Sequence, residues 1–400
     1  DLDAHLRQIR LPAPGSMRQL LDLAAQLYAE PLDRTRPLWR FVVIGGLEGD
    51  RAAIWTIIHH SVSDGIGQLR MAELYQQIRR DEAPPADVDL DAVIAEAVSS
   101  AKAKEVGGDL TTNAVSNIRA SASHLARRNF GIGRRLLGEV AMWPADPSRV
   151  GDTVGAAVDT FRSAATQLRP IDEEASLSSP LWSGRSRHRH FGWVRLHVDD
   201  LKRIGRIGGG TVNDAFLSGL AEAGHRYHRE RGIRLSTLNS SFVLSTRTDH
   251  KAGGNAFTPV PVKLPAGAMA PFERVTAVAA AAEAAKNEAQ RTGGVTGLSG
   301  VANLLPTSVV TSTARAAASR IDFATSNLRG APFPIFISGS EVLATIPMGP
   351  VAGTGANITA LSMNGEFDIG IFADPEAITD PESFRLDVEA AFADLLAACD

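Results

Sequence analysis

The chain has 400 residues, 44% of them hydrophobic and 22% charged. That is the composition of a globular protein long enough for two core-bearing lobes. A net charge of -4 supplies no basic field for nucleic acid, so nucleic acid is not an expected partner. The single cysteine, Cys399, lies beside the C-terminus. It excludes a disulfide framework, offers no credible thiol nucleophile, and fits a reducing compartment. No apolar run approaches the roughly 20 residues that span a bilayer. The opening residues Asp1-Leu2-Asp3-Ala4-His5 are polar and lack an initiating Met, so no signal peptide is read here and the expectation is a chain that starts inside a longer gene product.

In chain order, residues 17–30 carry apolar residues at helical spacing. Residues 39–60 read as a β-hairpin: Arg40 to Ile44 as one strand, Gly45 to Asp50 as turn chemistry, and Ala52 to Ile58 as a second strand apolar enough for burial on both faces. That strand runs into His59-His60. After Gly65 and Gly67, residues 66–80 read as a helix. Residues 81–90 look like an exposed linker, and 88–106 is helix-prone. The stretch 119–135 holds Arg119, Arg127, Arg128, Arg134 and Arg135 without an acid. Residues 144–190 mix Pro, Gly, Ser and Arg, as a crossing between lobes does.

The second half opens with a strand, 191–198, and a helix from about 212. Residues 241–247 are strand-like, Ala-rich 275–290 is helical, and 292–304 is Gly-rich. Ile358 to Phe372 has Asn364-Gly365 between alternating runs, a hairpin signal. Asp380-Pro381 starts a terminal helix, with Asp as cap and Pro at its first position. Strands and helices interleave without repeats, so the fold class is α/β or mixed α+β.

The chemistry points to His59-His60-Ser61-Val62-Ser63-Asp64-Gly65. In an extended chain, only one of two adjacent histidines faces a given side. A neutral imidazole with a free nitrogen takes a proton from an alcohol, which is worth roughly 10²–10⁴ in rate. No set of Cys, His or Glu near these histidines has metal-ligand spacing. His188 and His190 lie among arginines and read as a solvated basic segment. His225 and His228, on a helix, read as structural.

The string HHSVSDG resembles the HHxxxDG signature of the coenzyme-A-dependent acyltransferase superfamily, which includes chloramphenicol acetyltransferase and peptide-synthetase condensation domains. Further segments resemble the bacterial wax ester synthase/diacylglycerol acyltransferase family, in that family's order. These are Pro37-Leu38-Trp39, Asn213-Asp214, Ser245-Thr246-Arg247 with Gly254-Asn255 and Leu264-Pro265, Thr325-Ser326-Asn327-Leu328-Arg329-Gly330, and the Asn364-Gly365 hairpin. SNLRGA departs from the family's SNVPGP after its second residue. The resemblance also implies an opening helix and strand ahead of Asp1.

The resemblance implies two chloramphenicol-acetyltransferase-like lobes, mixed sheets flanked by helices, with an active-site tunnel between them. The first lobe would span 1–145, a crossover linker 146–190 and the second lobe 191–400. The implied reaction moves a long-chain acyl group from acyl-CoA to diacylglycerol or a long-chain alcohol, giving triacylglycerol or wax ester. His60 is the implied general base, attacking the thioester through the acceptor with no acyl-enzyme. His59 is positional, Asp64 braces the loop through Arg247 or Arg40, and Gly65 permits close backbone approach. The candidate substrate-binding residues are Asn213, Asp214, Ser326, Asn327, Trp39, Arg247 and Asn255. For Asn213 and Asp214, helix capping is the competing role; for Trp39, lobe packing.

No metal or cofactor is expected, because acyl-CoA is a substrate. The expected location is cytoplasmic, peripheral to the inner membrane or to lipid inclusions, with 119–135 or 293–311 as contact segments. Two other readings stay open from sequence. One is a condensation-type enzyme acting on carrier-bound substrates, and the other a non-catalytic lipid-binding protein of the same fold.

Overall fold

The computed structural model describes residues 2–83, 89, 92, 95, 179–245, 257–291 and 318–400. The chain divides into two compact units, one of Asp1–Ala83, Pro170–Gly294 and Ser312–Asp400, the other of Pro84–Arg169 and Val295–Thr311. Every element below belongs to the first. The lobe boundary at 145, the arginine stretch 119–135, the segment 293–311 and the helix-prone 88–106 (apart from three of its residues) lie outside the described residues.

The first half contributes β1 (Leu6–Arg10), α1 (Met17–Ala29), β2 (Trp39–Leu47), β3 (Arg51–Ile58) and α2 (Gly65–Ala72). The strands form a sheet in the order β1-β2-β3, β1 parallel and β3 antiparallel to β2. Helix α1 starts at Ser16, which forms a capping box with Gln19, satisfying two otherwise orphaned amides. Two apolar stripes run along it. Leu20 and Leu27 pack with Val42, Ile44 and Leu47 of the small sheet. Leu21, Ala24 and Ala25 pack with Phe191, Val351 and Phe372 of the second half. Arg18 adds a hydrogen bond to the Phe191 carbonyl at 2.8 Å.

The second half contributes β4 (His190–His197), α3 (Val198–Ile207), α4 (Val212–Glu230), β5 (Thr237–Ser245), β6 (Phe257–Pro265), α5 (Pro271–Arg291), β7 (Phe323–Arg329), β8 (Phe336–Ile337), β9 (Ser340–Glu341), β10 (Ala356–Met363), β11 (Glu366–Ala373) and α6 (Pro381–Ala397). Six of these strands make one mixed sheet, β4-β11-β10-β7-β5-β6. Alternation along each strand gives it two faces. Ala356, Ile358, Ala360, Ile369 and Ile371 point to one side and bury against α3, α4, α5 and α6, around Leu201, Phe216, Val275 and Val388. The Asn364-Gly365 turn, with φ 48° and 84°, joins β10 to β11 as predicted. Asp380 caps α6 through the Ser383 amide.

The other face of the large sheet is crossed by residues 342–355, whose Ile346, Met348 and Val351 join the cluster against α1. This strap runs very close to the strands: a Cβ on Gly370 would lie 1.8 Å from the Pro347 carbonyl oxygen.

Two expectations change. Strand β3 is not buried on both faces. Among the described residues it is an edge strand, and the outward face of the small sheet carries the exposed Val43 and Ile54 as a cross-strand pair. The helix read over 66–80 stops at Ala72. Gln77 exchanges two backbone hydrogen bonds with Phe336, both 2.8 Å, and this pairing overrides the helical propensity of the residues around it. Strand β6, over which no element was read from the sequence, carries Pro259, Pro261 and Pro265. It lies at the sheet edge, where proline costs no ladder hydrogen bond.

A buried polar cluster ties the segment before β4 to the large sheet. Asp322 accepts from the backbone amides of Ser179 and Asn239, and the Ser179 hydroxyl bonds His228 Nε2. His228 Nδ1 donates to the Gly224 carbonyl at 2.7 Å, so this histidine has the structural role expected of it. Burial pushes the Asp322 carboxyl up to about 6 and the His228 imidazole down to about 4. These act in opposite directions. As pH falls through 6, folded Asp322 takes up a proton that the unfolded chain does not, which favours folding. As pH falls through 6.5, the unfolded histidine is protonated while folded His228 is not, which disfavours folding.

Two outcomes follow. Gly370→Ala should lower stability by about 2 kcal/mol, as an overpacking defect against backbone, read by urea unfolding. Asp322→Asn should leave His228 uncompensated, so the variant should lose about 1 kcal/mol more than wild type between about pH 7 and about pH 5. Parallel pH curves would remove the assigned shift.

Candidate active site

The paired histidines leave β3 where it runs beside the start of β2. The His59 amide donates to the Leu38 carbonyl at 2.9 Å, and Trp39 pairs with Ile58. The Pro37-Leu38-Trp39 element and the histidines are thus cross-strand neighbours. The turn that follows is closed by the Val62 amide on the His59 carbonyl, 2.8 Å. His59 is exposed, and its Nδ1 accepts from the Ser61 amide at 3.1 Å, with the Ser61 hydroxyl at 2.8 Å. An accepting Nδ1 puts the ring proton on Nε2. His59 therefore shapes the turn. His60 is half-buried and its Nδ1 is enclosed by protein.

Asp64 is buried and caps α2: its Oδ1 accepts from the Gly67 amide at 2.8 Å, and its carbonyl accepts from the Gln68 amide at 2.8 Å. Of the two arginines expected to brace it, one is engaged elsewhere. Arg40 is committed to Glu30, at 2.6 Å, and to the Pro31 carbonyl. It ties the end of α1 to β2 rather than holding Asp64. Arg247 and Asn255 lie outside the described residues.

The motif loop reaches the large sheet at β7. A Cβ on Gly65 would meet Leu328 Cδ1 at 3.1 Å. Leu69 of α2 packs into the same cluster as Leu328, with Ile335, Leu361 and Met363. Strand β7 alternates, so Ser326 and Leu328 share the face that meets α2. Asn327 points to the opposite face and is exposed. The Ser-Asn-Leu segment thus divides its side chains between the two faces of the sheet. The proline of the family pattern is replaced by Arg329, and the strand runs on until the Gly330 amide bonds the Ser362 carbonyl at 2.8 Å.

Asn213 and Asp214 start α4, on the helical side of the sheet. Asp214 forms a capping box: Oδ2 accepts from the Thr211 amide at 2.8 Å and from its hydroxyl at 2.7 Å. Its Oδ1 is buried without a hydrogen-bond partner, and Asn213 beside it is half-buried. Phe216, one turn into the helix, packs edge-on to Phe367 of β11 at 5.6 Å. Trp39 stacks on His5 at 4.3 Å, and the His5 Nδ1–H donates to the Trp39 carbonyl. That contact is lobe packing.

The structure therefore groups His59, His60, Asp64, Gly65, Leu38 and Leu328 around one loop, with Ser326 on the face the loop meets. Asn213, Asp214 and Asn327 lie on the helical side, and Trp39 lies in the small sheet. Leu328 was quoted in the sequence but not singled out as a functional residue. A strand period through 323–329 would have put it on the loop-facing side. Among the described residues no group of three His, Cys, Asp or Glu side chains is placed to hold a metal.

Comparison with known proteins gives the same family by several routes. Residues 1–216 match the wax ester synthase/diacylglycerol acyltransferase catalytic domain, and residues 253–396 match the C-terminal domain of that family. A Mycobacterium tuberculosis protein whose name describes a diacylglycerol O-acyltransferase is 28% identical over 399 residues, covering 99% of this chain and 77% of that protein. A second such protein from the same organism is 28% identical over 418 residues, covering 100% of this chain and 81% of that one. The solved wax ester synthase/diacylglycerol acyltransferase from Marinobacter aquaeolei VT8 superposes with a TM-score of 0.65 at 17% identity, over 100% of this chain and 81% of that one, and so shares the fold. The chain belongs to the wax ester synthase/diacylglycerol acyltransferase family, and it is an acyltransferase.

Proposed function

We propose that this acyltransferase moves a long-chain acyl group from acyl-CoA to the hydroxyl of diacylglycerol or of a long-chain alcohol, with His60 as general base. The observation that carries the reading is the mounting of His60. It is half-buried at the end of a strand, on a turn that His59 shapes and Asp64 terminates. A base held in this way is pre-organised and needs no reorientation when the acceptor arrives. The relatives' names support the lipid acceptor.

His60 removes the hydroxyl proton as the oxygen attacks the thioester carbonyl. A tetrahedral oxyanion forms, then collapses with cleavage of the carbon–sulfur bond. The coenzyme A thiolate leaves and takes the proton back from the imidazolium. Atoms and charge balance without an acyl-enzyme and without a metal or redox cofactor. Such acceptors are scarcely soluble in water, so the encounter takes place at a lipid–water interface, the inner membrane or a lipid inclusion. Ser326, on the face met by the motif loop, and Asn213 and Asn327 on the helical side are the substrate-contact candidates. Arg247 and Asn255 complete the set.

Thiol release from palmitoyl-CoA should depend on added hexadecanol or diacylglycerol. His60→Ala should lower it by roughly 10²–10⁴, the range for loss of a general base. His59→Ala should retain more activity than His60→Ala, since it disturbs the turn and not the proton transfer. Wild type without turnover on either acceptor, or His60→Ala with wild-type turnover, would end this reading. Asp64→Ala should cost about 1 kcal/mol of stability, the worth of a helix cap, measured by thermal unfolding.

A further inference from the structure

We infer that Leu328 is a positioning residue for His60, acting through its contact with Gly65. This rests on His60 being the base. Gly65 is the first residue of α2, directly after the Asp64 cap. Its φ is not among the positive values of the chain, so backbone conformation does not require glycine there. Helix propensity argues for alanine at this position. What favours glycine is space: a Cβ would come within 3.1 Å of Leu328 Cδ1 and 3.3 Å of Cδ2. Contacts that close make the neighbour yield by a few tenths of an ångström, and the half-buried Leu328 has packing partners that resist it. It packs with Leu69, Ile335, Leu361 and Met363, and its backbone is paired with Leu361 of β10.

The consequence reaches His60 through a short stretch of chain. On one side, the His59 amide is fixed to the Leu38 carbonyl of the small sheet. On the other, Asp64 and Gly65 are seated against Leu328 of the large sheet. Between these anchors lie only His60 to Ser63. The base is strung between two sheets, and the Leu328 side chain sets how close its far anchor comes to β7. Leucine at 328 and glycine at 65 form a matched pair: bulk on the strand, none on the helix.

The matched pair predicts rescue. Gly65→Ala should lower kcat about tenfold, a displacement of a few tenths of an ångström at the anchor being enough to spoil a near-attack geometry, while KM for palmitoyl-CoA changes by less than about twofold. Leu328→Val alone should lower kcat about threefold by loosening the seat. Gly65→Ala combined with Leu328→Val should recover to within about threefold of wild type, so the two substitutions are strongly non-additive. A merely structural pair would shift the unfolding midpoint without splitting kcat from KM.

Should Gly65→Ala not fold, Leu328→Ala decides: a larger fall in kcat than Leu328→Val, at unchanged KM and retained fold, supports the inference. A double variant no better than Gly65→Ala, or Gly65→Ala with wild-type kcat, overturns it, as does Leu328→Ala with wild-type kcat. Wild-type turnover of palmitoyl-CoA in the same experiment separates failure of this inference from failure of the proposed reaction.

Discussion

Helix α1 has two apolar stripes, and both must leave water. Here the helix gives Leu20 and Leu27 to the small sheet and Leu21, Ala24 and Ala25 to Phe191 and Phe372 of the large one. The strap over 342–355 closes against the same helix face. This double burial fixes β2 and β3 relative to β7 and β10. The loop that carries His60 hangs from the first pair and rests on the second, so its geometry is a by-product of how α1 is packed.

Much of this was legible in the sequence because it is local. The helix over 17–30, the hairpin at Asn364-Gly365 and the Asp380-Pro381 helix start are set by residues close together in the chain, and each stands where its chemistry demands. The motifs themselves also read correctly as a set. What was not legible depends on partners far along the chain. Nothing near Gln77 announces Phe336, yet that pairing ends α2 eight residues short of the predicted stop. The proline-rich β6 is a strand only because it is the outermost one. Strand β3, largely apolar, read as a core strand and is an edge among the described residues, since apolar content does not say how many faces have a neighbour.

The candidate site shows the same division. The histidine pair, Asp64 and Gly65 were found by pattern, and the pattern also suggested that Asp64 is a support. Two arginines were candidates for its partner, and Arg247 lies outside the described residues. Arg40 is taken by Glu30, an ion pair that no spacing rule would prefer over Asp64. Gly65 was read as permitting a close approach, but the approaching group, Leu328, is more than two hundred and fifty residues away in sequence and could only be named once β7 was placed. Asp214 proved to be a helix cap, the bland alternative, though its second oxygen stays buried without a partner.

The central claim is direct attack by an acceptor that His60 deprotonates, with no covalent intermediate. Rapid mixing of the enzyme with a stoichiometric amount of acyl-labelled palmitoyl-CoA, without acceptor, tests it. The account predicts no burst of thiol and no label on the protein, followed by ester formation as soon as hexadecanol or diacylglycerol is added. A stoichiometric thiol burst with label retained on the chain would contradict it.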